Sequence, residues 1–294
     1  MIEETFEWAK RTDVGRVRSH NEDAVGIDGD IGLAVLADGM GGYNAGEVAS
    51  AIAVQVITED IQNRLNQSPA NISSDELGYS RESIIVRDAV IHANQTIIQT
   101  AESQPQCRGM GTTVVVMLFY DNRMTVAHLG DSRLYRLRAG RLEQMTIDHS
   151  LVQELEEMGH YTHEEAQNSS QKNYVTRAMG VEQNPEVEIR EAPVLPDDLY
   201  LLCSDGLSDR ISDKEIAACL KKHDDNLDDA AEELIKLANE AGGEDNISTI
   251  LTRVQKPFPK AGWPDWLDGI ADRLQNQLVP VIAQQWEKLL RRFR

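Results

Sequence analysis

Aspartates recur in this chain at the ends of apolar runs, each beside a glycine or another turn residue. Asp38-Gly39-Met40-Gly41-Gly42 follows Leu33 to Ala37, and Asp205-Gly206 follows Leu199 to Cys203. Gly243-Glu244-Asp245-Asn246 precedes Ile247 to Val254, while Gly130-Asp131-Ser132-Arg133 lies between two apolar runs. Glu22-Asp23 adds a further acidic spot shortly after Arg18. A carboxylate at a strand end is held rigidly, and an adjacent glycine lets backbone or ligand come close. Hard divalent cations such as Mg²⁺ and Mn²⁺ take carboxylate, carbonyl and water oxygens, so aspartates delivered from separate strands suit them. Any one of these aspartates alone reads as a turn or cap residue; their recurrence within one chain favours a shared cation site. The spaced Asp, Asn and Glu ligands of a calcium-binding helix-loop-helix do not occur.

Such carboxylates need strands to hold them. Apolar, β-branched runs predict strands over Phe6 to Arg11, Ile31 to Ala37, Thr112 to Tyr120, Arg123 to Leu129, Leu134 to Arg138, Leu199 to Cys203 and Ile247 to Val254. Ala139-Gly140 sits between two short strand-like runs and predicts a hairpin turn. A helix is expected from Ala45 to Leu65, with Val48, Ile52, Val56 and Ile61 near helical spacing, and another from Ser83 to Ala101. A third runs from Asn226 to Ala241, its acids Asp228, Asp229, Glu232 and Glu233 on a solvated face, and stops at Gly242-Gly243. Asn66 to Ser80, with Pro69, reads as a polar connection, in which Asn71-Ile72-Ser73 is an incidental match to a glycosylation acceptor. Adjacent strands join as hairpins more often than through crossover helices. That pattern predicts an α+β fold of mainly antiparallel sheets with helices outside.

Composition narrows the classes further. A formal net charge of −20 over 294 residues argues against binding nucleic acid, whose partners usually carry a basic face. No run approaches the roughly 20 apolar residues of a membrane span. The start, Met1-Ile2-Glu3-Glu4-Thr5, lacks the basic and apolar regions of a secretory leader, and Cys107, Cys203 and Cys219 form no Cys-x-x-Cys pair, so a cytoplasmic protein is expected. Lys256-Pro257-Phe258-Pro259-Lys260 reads as a linker, which divides the chain into a domain over 1–255 and a tail over 256–294. In the tail, Trp263, Trp266, Leu267, Ile270, Leu274 and Leu278 recur at helical spacing. Val281, Ile282, Trp286, Leu289, Leu290 and Phe293 repeat the pattern after Pro280, and Arg291, Arg292 and Arg294 make the end basic. Such a tail suits docking on the domain, on a partner or a second copy, or on a membrane surface.

The motifs occur in a telling order. Arg11-Thr12-Asp13-Val14-Gly15, Arg18-Ser19-His20-Asn21-Glu22-Asp23 and the Asp38 to Gly42 run come first, followed by Gly46-Glu47-Val48-Ala49-Ser50 and Gly109-Met110-Gly111-Thr112-Thr113. After the Gly130 to Arg133 run come Asp148-His149-Ser150, Thr176-Arg177-Ala178-Met179-Gly180, Ser204-Asp205-Gly206 and Asp245-Asn246. Over residues 5 to 255 this succession resembles the metal-dependent Ser/Thr protein phosphatases, the PPM or type 2C family, in its bacterial style. The resemblance implies a four-layer α-β-β-α sandwich with Mn²⁺ or Mg²⁺ at one end between the sheets. By position, Asp38 would bridge two tightly held metals, Gly39 would offer its carbonyl, and Asp205 and Asp245 would complete the first site. Glu22 and Asp23 would serve the second metal directly or through water, Asp131 a weaker third, and Arg18 would grip the substrate phosphate. The implied activity is hydrolysis of phosphoserine and phosphothreonine on phosphorylated proteins, opposing a cognate Ser/Thr kinase. The alternative is a catalytically weak, phosphoprotein-binding module of the same fold, but such a protein would be expected to lose metal carboxylates, and all are present.

Two metals about 3.5 to 4 Å apart acidify a water and neutralise phosphoryl oxygens, so no covalent nucleophile is required. No Cys-x5-Arg loop occurs: Cys107, Cys203 and Cys219 have Thr113, Asp209 and Asp225 at the sixth following position. One departure concerns the leaving group. Many bacterial relatives follow Asp-Gly-Met-Gly-Gly with a histidine, a proposed proton donor, where this chain has Tyr43. General-acid assistance contributes about 10² to 10⁴-fold, so a metal-bound water, His149 or His20 would have to serve instead. Gln153 to Lys172, rich in glutamate, aligns with the family's mobile flap and, where it borders the cleft, would bias against acidic phosphopeptides; the alternative is an ordinary acidic surface helix and loop.

Overall fold

The computed structural model describes residues 5–41, 45–66, 78–162, 165, 169, 171 and 174–258. Eleven strands form two antiparallel sheets. One sheet has the order β1 (Phe6–Asp13), β11 (Ile247–Val254), β10 (Leu199–Cys203), β7 (Arg133–Arg138) and β8 (Arg141–Gln144). The other runs β2 (Asp23–Asp28), β3 (Leu33–Met40), β5 (Val114–Tyr120), β6 (Arg123–Leu129) and β9 (Glu188–Pro193), with β4 (Gly111–Thr112) paired to the end of β3. The helices are α1 (Ala45–Leu65), α2 (Arg81–Ser103), α3 (Leu151–Glu157), the single turn α4 (Asp205–Ser208), α5 (Asp213–Lys222) and α6 (Leu227–Glu240). No helix among the described residues is long and apolar enough to cross a membrane.

Strand periodicity builds the layers. Side chains alternate across a strand, so Leu33, Val35 and Ala37 of β3 pack with α1 and α2 while Ala34 and Leu36 enter the space between the sheets. In β10, Leu199, Leu201 and Cys203 pack towards α5 and α6, and Tyr200 and Leu202 point inwards. Strands with both faces covered read as unbroken apolar runs, which is why they are legible in the sequence. The result is the four-layer α-β-β-α sandwich.

The hairpin turn at Ala139-Gly140 is present, with φ of 49° and 76° and Arg138 paired to Arg141. The α1 helix has the expected bounds, but its buried stripe is Ala49, Ala53, Ile57 and Ile61, one residue round from the expected one; Val48 is exposed. Small residues let this helix approach the sheet closely, and hydropathy alone does not reward them. Six elements have no bounds in the sequence reading: β2, β8, β9, α3, α4 and α5. The first three are short or partly polar, and β9, with its charges and Pro193, reads as an edge strand. For α5 a signal is present, the capping box in which Ser212 and Glu215 cap each other's backbone.

The compact unit continues to Phe258, which is buried with its ring centroid 5.4 Å from that of Phe6. Its N–H donates to Asn122 Oδ1 at 2.8 Å. The tail readings, Tyr43 and the Asn71 motif fall outside the described residues.

Candidate metal centre

Strand register places the first two carboxylates. Asp23 on β2 lies directly opposite Asp38 on β3, a pairing the linear sequence does not display. The Asp38 backbone is clamped from the neighbouring strand end: its N–H donates to Thr113 Oγ1 at 3.1 Å. Its carbonyl accepts from the Thr113 N–H at 2.9 Å and from Thr112 Oγ1 at 2.8 Å. At Gly39 the N–H donates to the Glu22 carbonyl at 3.1 Å, and a Cβ would run into the Gly46 and Glu22 carbonyl oxygens. Only glycine permits β3, the Arg18–Glu22 loop and the start of α1 to meet there.

The other sheet supplies the next pair. Asp205 opens α4, directly after β10, and Asp245 immediately precedes Asn246 and β11. Ser204 joins the sheets: its Oγ donates to Asp23 Oδ2 at 2.9 Å and accepts the Ser248 N–H at 2.9 Å. Asn246 performs the same service for the loop. Its Oδ1 accepts the Glu22 N–H at 2.8 Å, and its Nδ2 donates to the carbonyls of Val14 at 3.0 Å and His20 at 2.9 Å. Asp131 sits between β6 and β7 and is 8% exposed. Sequence reasoning passes over Ser204 and Thr113 as organising residues because each acts on a remote segment, Ser204 on Asp23 and Thr113 on Asp38.

Burial, and then mutual repulsion, govern the electrostatics. Asp38 is raised well above the usual carboxylate range by desolvation and by the charges of Asp23, Asp205, Asp131 and Asp245. Asp205 is likewise raised well above it by burial, then by Asp131 and Asp245. Burial pushes Asp23 up to about 6 against hydrogen bonds from Ser248 and Ser204, and pushes Asp131 up to about 7 with help from Asp148. Glu22 is raised by burial, with Arg18 pulling the other way. Protein cations do not balance this group. Asp23 Oδ1 and Asp205 Oδ1 are buried without a hydrogen-bond partner among the described residues, a costly condition for a carboxylate. Oxygen donors lacking partners and in charge excess fit divalent cations.

Arg18, Asp205 and Asp245 share one cleft. Its lining is Arg18, Asp205, Gly206, Asp209, Arg210, Glu244 and Asp245, around a space of about 150 Å³. Arg18 Nη2 donates to Asp245 Oδ2 at 2.7 Å, and its side chain is half exposed. All eight residues expected from the sequence, Arg18, Glu22, Asp23, Asp38, Gly39, Asp131, Asp205 and Asp245, are therefore brought to this end of the sandwich.

A second group of possible ligands lies among the described residues. The ligand atoms of His128, His149 and Glu188 lie within 4.8 Å of one another. The proton inventory argues against a metal there. His149 Nδ1 accepts the Gly130 N–H at 3.1 Å, which leaves the ring proton on Nε2, 3.3 Å from Glu188 Oε2. A metal on that Nε2 would move the proton to Nδ1, against the Gly130 donor. His128 Nε2 donates to the Ile147 carbonyl at 2.8 Å, and the two rings stack at 4.7 Å. Burial lowers the pKa of both histidines, so they serve as neutral packing groups. With both nitrogens engaged and the ring buried, His149 is not a proton donor to the cleft, contrary to one option raised by the sequence.

Known proteins resemble this chain in sequence and in fold. Residues 15–252 match the family model Protein phosphatase 2C. The chain is 38% identical to Serine/threonine phosphatase stp of Listeria welshimeri, over 82% of this chain and 93% of that protein. It is 40% identical to Serine/threonine protein phosphatase PstP of Mycobacterium tuberculosis, over 84% of this chain and 45% of that one. A crystal structure of the PstP catalytic domain with two manganese ions has a TM-score of 0.72 and 36% identity, covering 85% of this chain and 99% of that one. The chain belongs to the protein phosphatase 2C family.

Proposed function

We propose that this protein is a bacterial phosphoprotein phosphatase that hydrolyses phosphoserine and phosphothreonine esters with the help of Mn²⁺ or Mg²⁺. The observation that carries the reading is a set of buried, cation-deficient carboxylates, from both sheets, beside a cleft that holds Arg18. In this reading Asp38 would serve two ions, and the Gly39 carbonyl, Asp205 and Asp245 would help to hold the first. Glu22 and Asp23 would serve the second ion directly or through water, and Asp131 a weaker third. Bound there, divalent cations acidify water and neutralise phosphoryl oxygens.

The chain's own groups do the positioning. Arg18 exchanges Asp245 for two oxygens of the substrate phosphate, to which its planar fork is matched. Thr113 holds the Asp38 backbone, Ser204 holds the Asp23 carboxylate, and Asn246 holds the loop carrying Arg18 and Glu22. A thiol nucleophile is not needed, and burial pushes the Cys203 thiol up to about 12. The names of the bacterial relatives support a substrate class of phosphorylated proteins, and hence a Ser/Thr kinase whose action is reversed. Residues 256–294 complete the reading as a linker and an amphipathic tail whose arginine-rich end suits a partner or an anionic membrane surface.

Phosphate release from a phosphothreonine peptide, titrated with Mn²⁺ and with Mg²⁺, tests the proposal. Activity is expected to follow metal occupancy, and Asp38→Asn to lower it by about 10²-fold or more. Equal release in excess chelator would overturn it.

A further inference from the structure

The cleft has a rim that the hydrolytic reading does not use. Arg210 lies just beyond α4, and its N–H donates to the Leu207 carbonyl at 3.0 Å. Its Nη2 donates to Glu244 Oε2 at 2.7 Å, its Nη1 lies over Gly242, and its Nε is buried without a partner. The arginine is thus laid down against the glycine turn, its side chain 20% exposed, whereas that of Glu244 is 60% exposed. Glu244 stands next to Asp245 in the chain and lines the same space as Arg18.

These positions have a consequence for substrate. A phosphate on Arg18 leaves the neighbouring substrate residues, at roughly 3.3 Å per residue in extended chain, crossing the rim within about two residues. Four carboxylates, Asp205, Asp209, Glu244 and Asp245, face two guanidiniums, Arg18 and Arg210, around this space. Cations would occupy Asp205 and Asp245, and the phosphate would occupy Arg18. Of the two carboxylates left, Asp209 is half-buried and Glu244 is presented outwards by Arg210, so Glu244 is the one placed to meet a flanking side chain. An exposed ion pair of this kind is weak, so Glu244 can turn to a substrate cation at small cost. The net charge of −20 favours the approach of cationic peptides as well.

We propose that Glu244, braced by Arg210, is a specificity-determining residue that recognises a lysine or arginine side chain within two residues of the phosphorylated serine or threonine. This rests on the phosphatase reading and refines it. The test uses the full-length protein with Mn²⁺ and phosphothreonine peptides that differ by Lys or Glu at one flanking position at a time. Wild type, Glu244→Gln and Glu244→Arg are compared by the Lys-to-Glu ratio of kcat/KM, with p-nitrophenyl phosphate as a substrate that has no flanking residue.

In the wild type the ratio is expected to exceed one at a particular flanking position, mainly through KM. Glu244→Gln, which keeps the shape and removes the charge, lowers it by about fivefold, the size expected of an exposed pair; Glu244→Arg inverts it. Ratios unaltered by both variants, or altered equally at every position, overturn the specificity role. A wild type that hydrolyses neither the peptides nor the aryl phosphate overturns the phosphatase reading instead.

Discussion

Asp38 concentrates the conflict on which the candidate site depends. Its carboxylate is buried among four others, so folding without cations forces like charges together or forces protons onto them. Asp23, raised to about 6, and Asp131, raised to about 7, have folded pKa values above the unfolded value of about 3.9. A group raised in this way binds its proton more tightly in the folded state. Its stabilising contribution is full below the unfolded value and is lost as pH rises through the folded one. His128 and His149, lowered by burial, act in the opposite direction: their contribution is full above about 6.5 and is lost on acidification. Comparing variants in chelator separates the two effects. Asp38→Asn is expected to melt several degrees above wild type at pH 8, at about 2–4 °C for each kcal/mol of repulsion relieved, and close to it at pH 5. Thermal melts across that range in chelator check this, and a gap that widens on acidification would contradict it. Saturating Mn²⁺ should reverse the order at pH 8, because only the wild type retains the full ligand set.

At the level of elements, the turn between β6 and β7 that carries Asp131 is held by the Arg133 guanidinium at the start of β7. Arg133 donates from Nε to Asp148 Oδ1 at 3.0 Å and from Nη2 to Asp148 Oδ2 at 2.7 Å. Arg133 Nη1 also donates to the Tyr135 hydroxyl at 3.0 Å, which donates to Asp213 Oδ1 at 3.0 Å at the start of α5. One mostly buried network therefore ties the Asp131 turn to the segment leading into α3 and to the helical layer beyond. Asp148→Asn should leave the Arg133 guanidinium without its carboxylate and lower stability by about 3 kcal/mol, read from urea unfolding. The same substitution should weaken the dependence of activity on millimolar metal, because the Asp131 turn loses its anchor. A loss under about 1 kcal/mol, the range of an exposed pair, would place the strength of this junction elsewhere.

Across the whole molecule, the core between the sheets closes at its C-terminal end with Phe258, which meets Phe6, itself stacked on Phe119 at 4.5 Å. The linker expected to begin at Lys256 thus contributes a core side chain before it leaves the domain. A chain ending at Phe258 should match the full chain in Tm and in aryl phosphate turnover. One ending at Gln255 should lose about 2–3 kcal/mol, the value of burying a phenylalanine. Flotation with anionic vesicles of the full chain, but not of the chain ending at Phe258, would place lipid affinity in the tail; equal behaviour would exclude it.

Composition, unbroken apolar runs and the glycine-flanked aspartates determined a great deal unaided. The α+β class, the covered strands, two long helices and the strand-end aspartates are legible, because a strand buried on both faces and a carboxylate at its end each leave a local signature; Arg18, Gly39 and Glu22 enter the candidate site through the order of motifs that resembles the family. What the sequence left open depends on distances between remote segments. The facing of Asp23 and Asp38, the bridge by Ser204 and the anchoring of Glu22 by Asn246 arise from strand register and sheet packing. The same holds for the α1 stripe, chosen by close approach of small residues, and for Phe258, which only a finished core can claim. His149 shows the limit most plainly: beside an aspartate motif it reads as available for proton transfer, and only its buried contacts with Gly130 and Glu188 assign it to packing. Residue type announces what chemistry is possible, whereas burial and hydrogen-bond partners decide which of those residues is free to perform it.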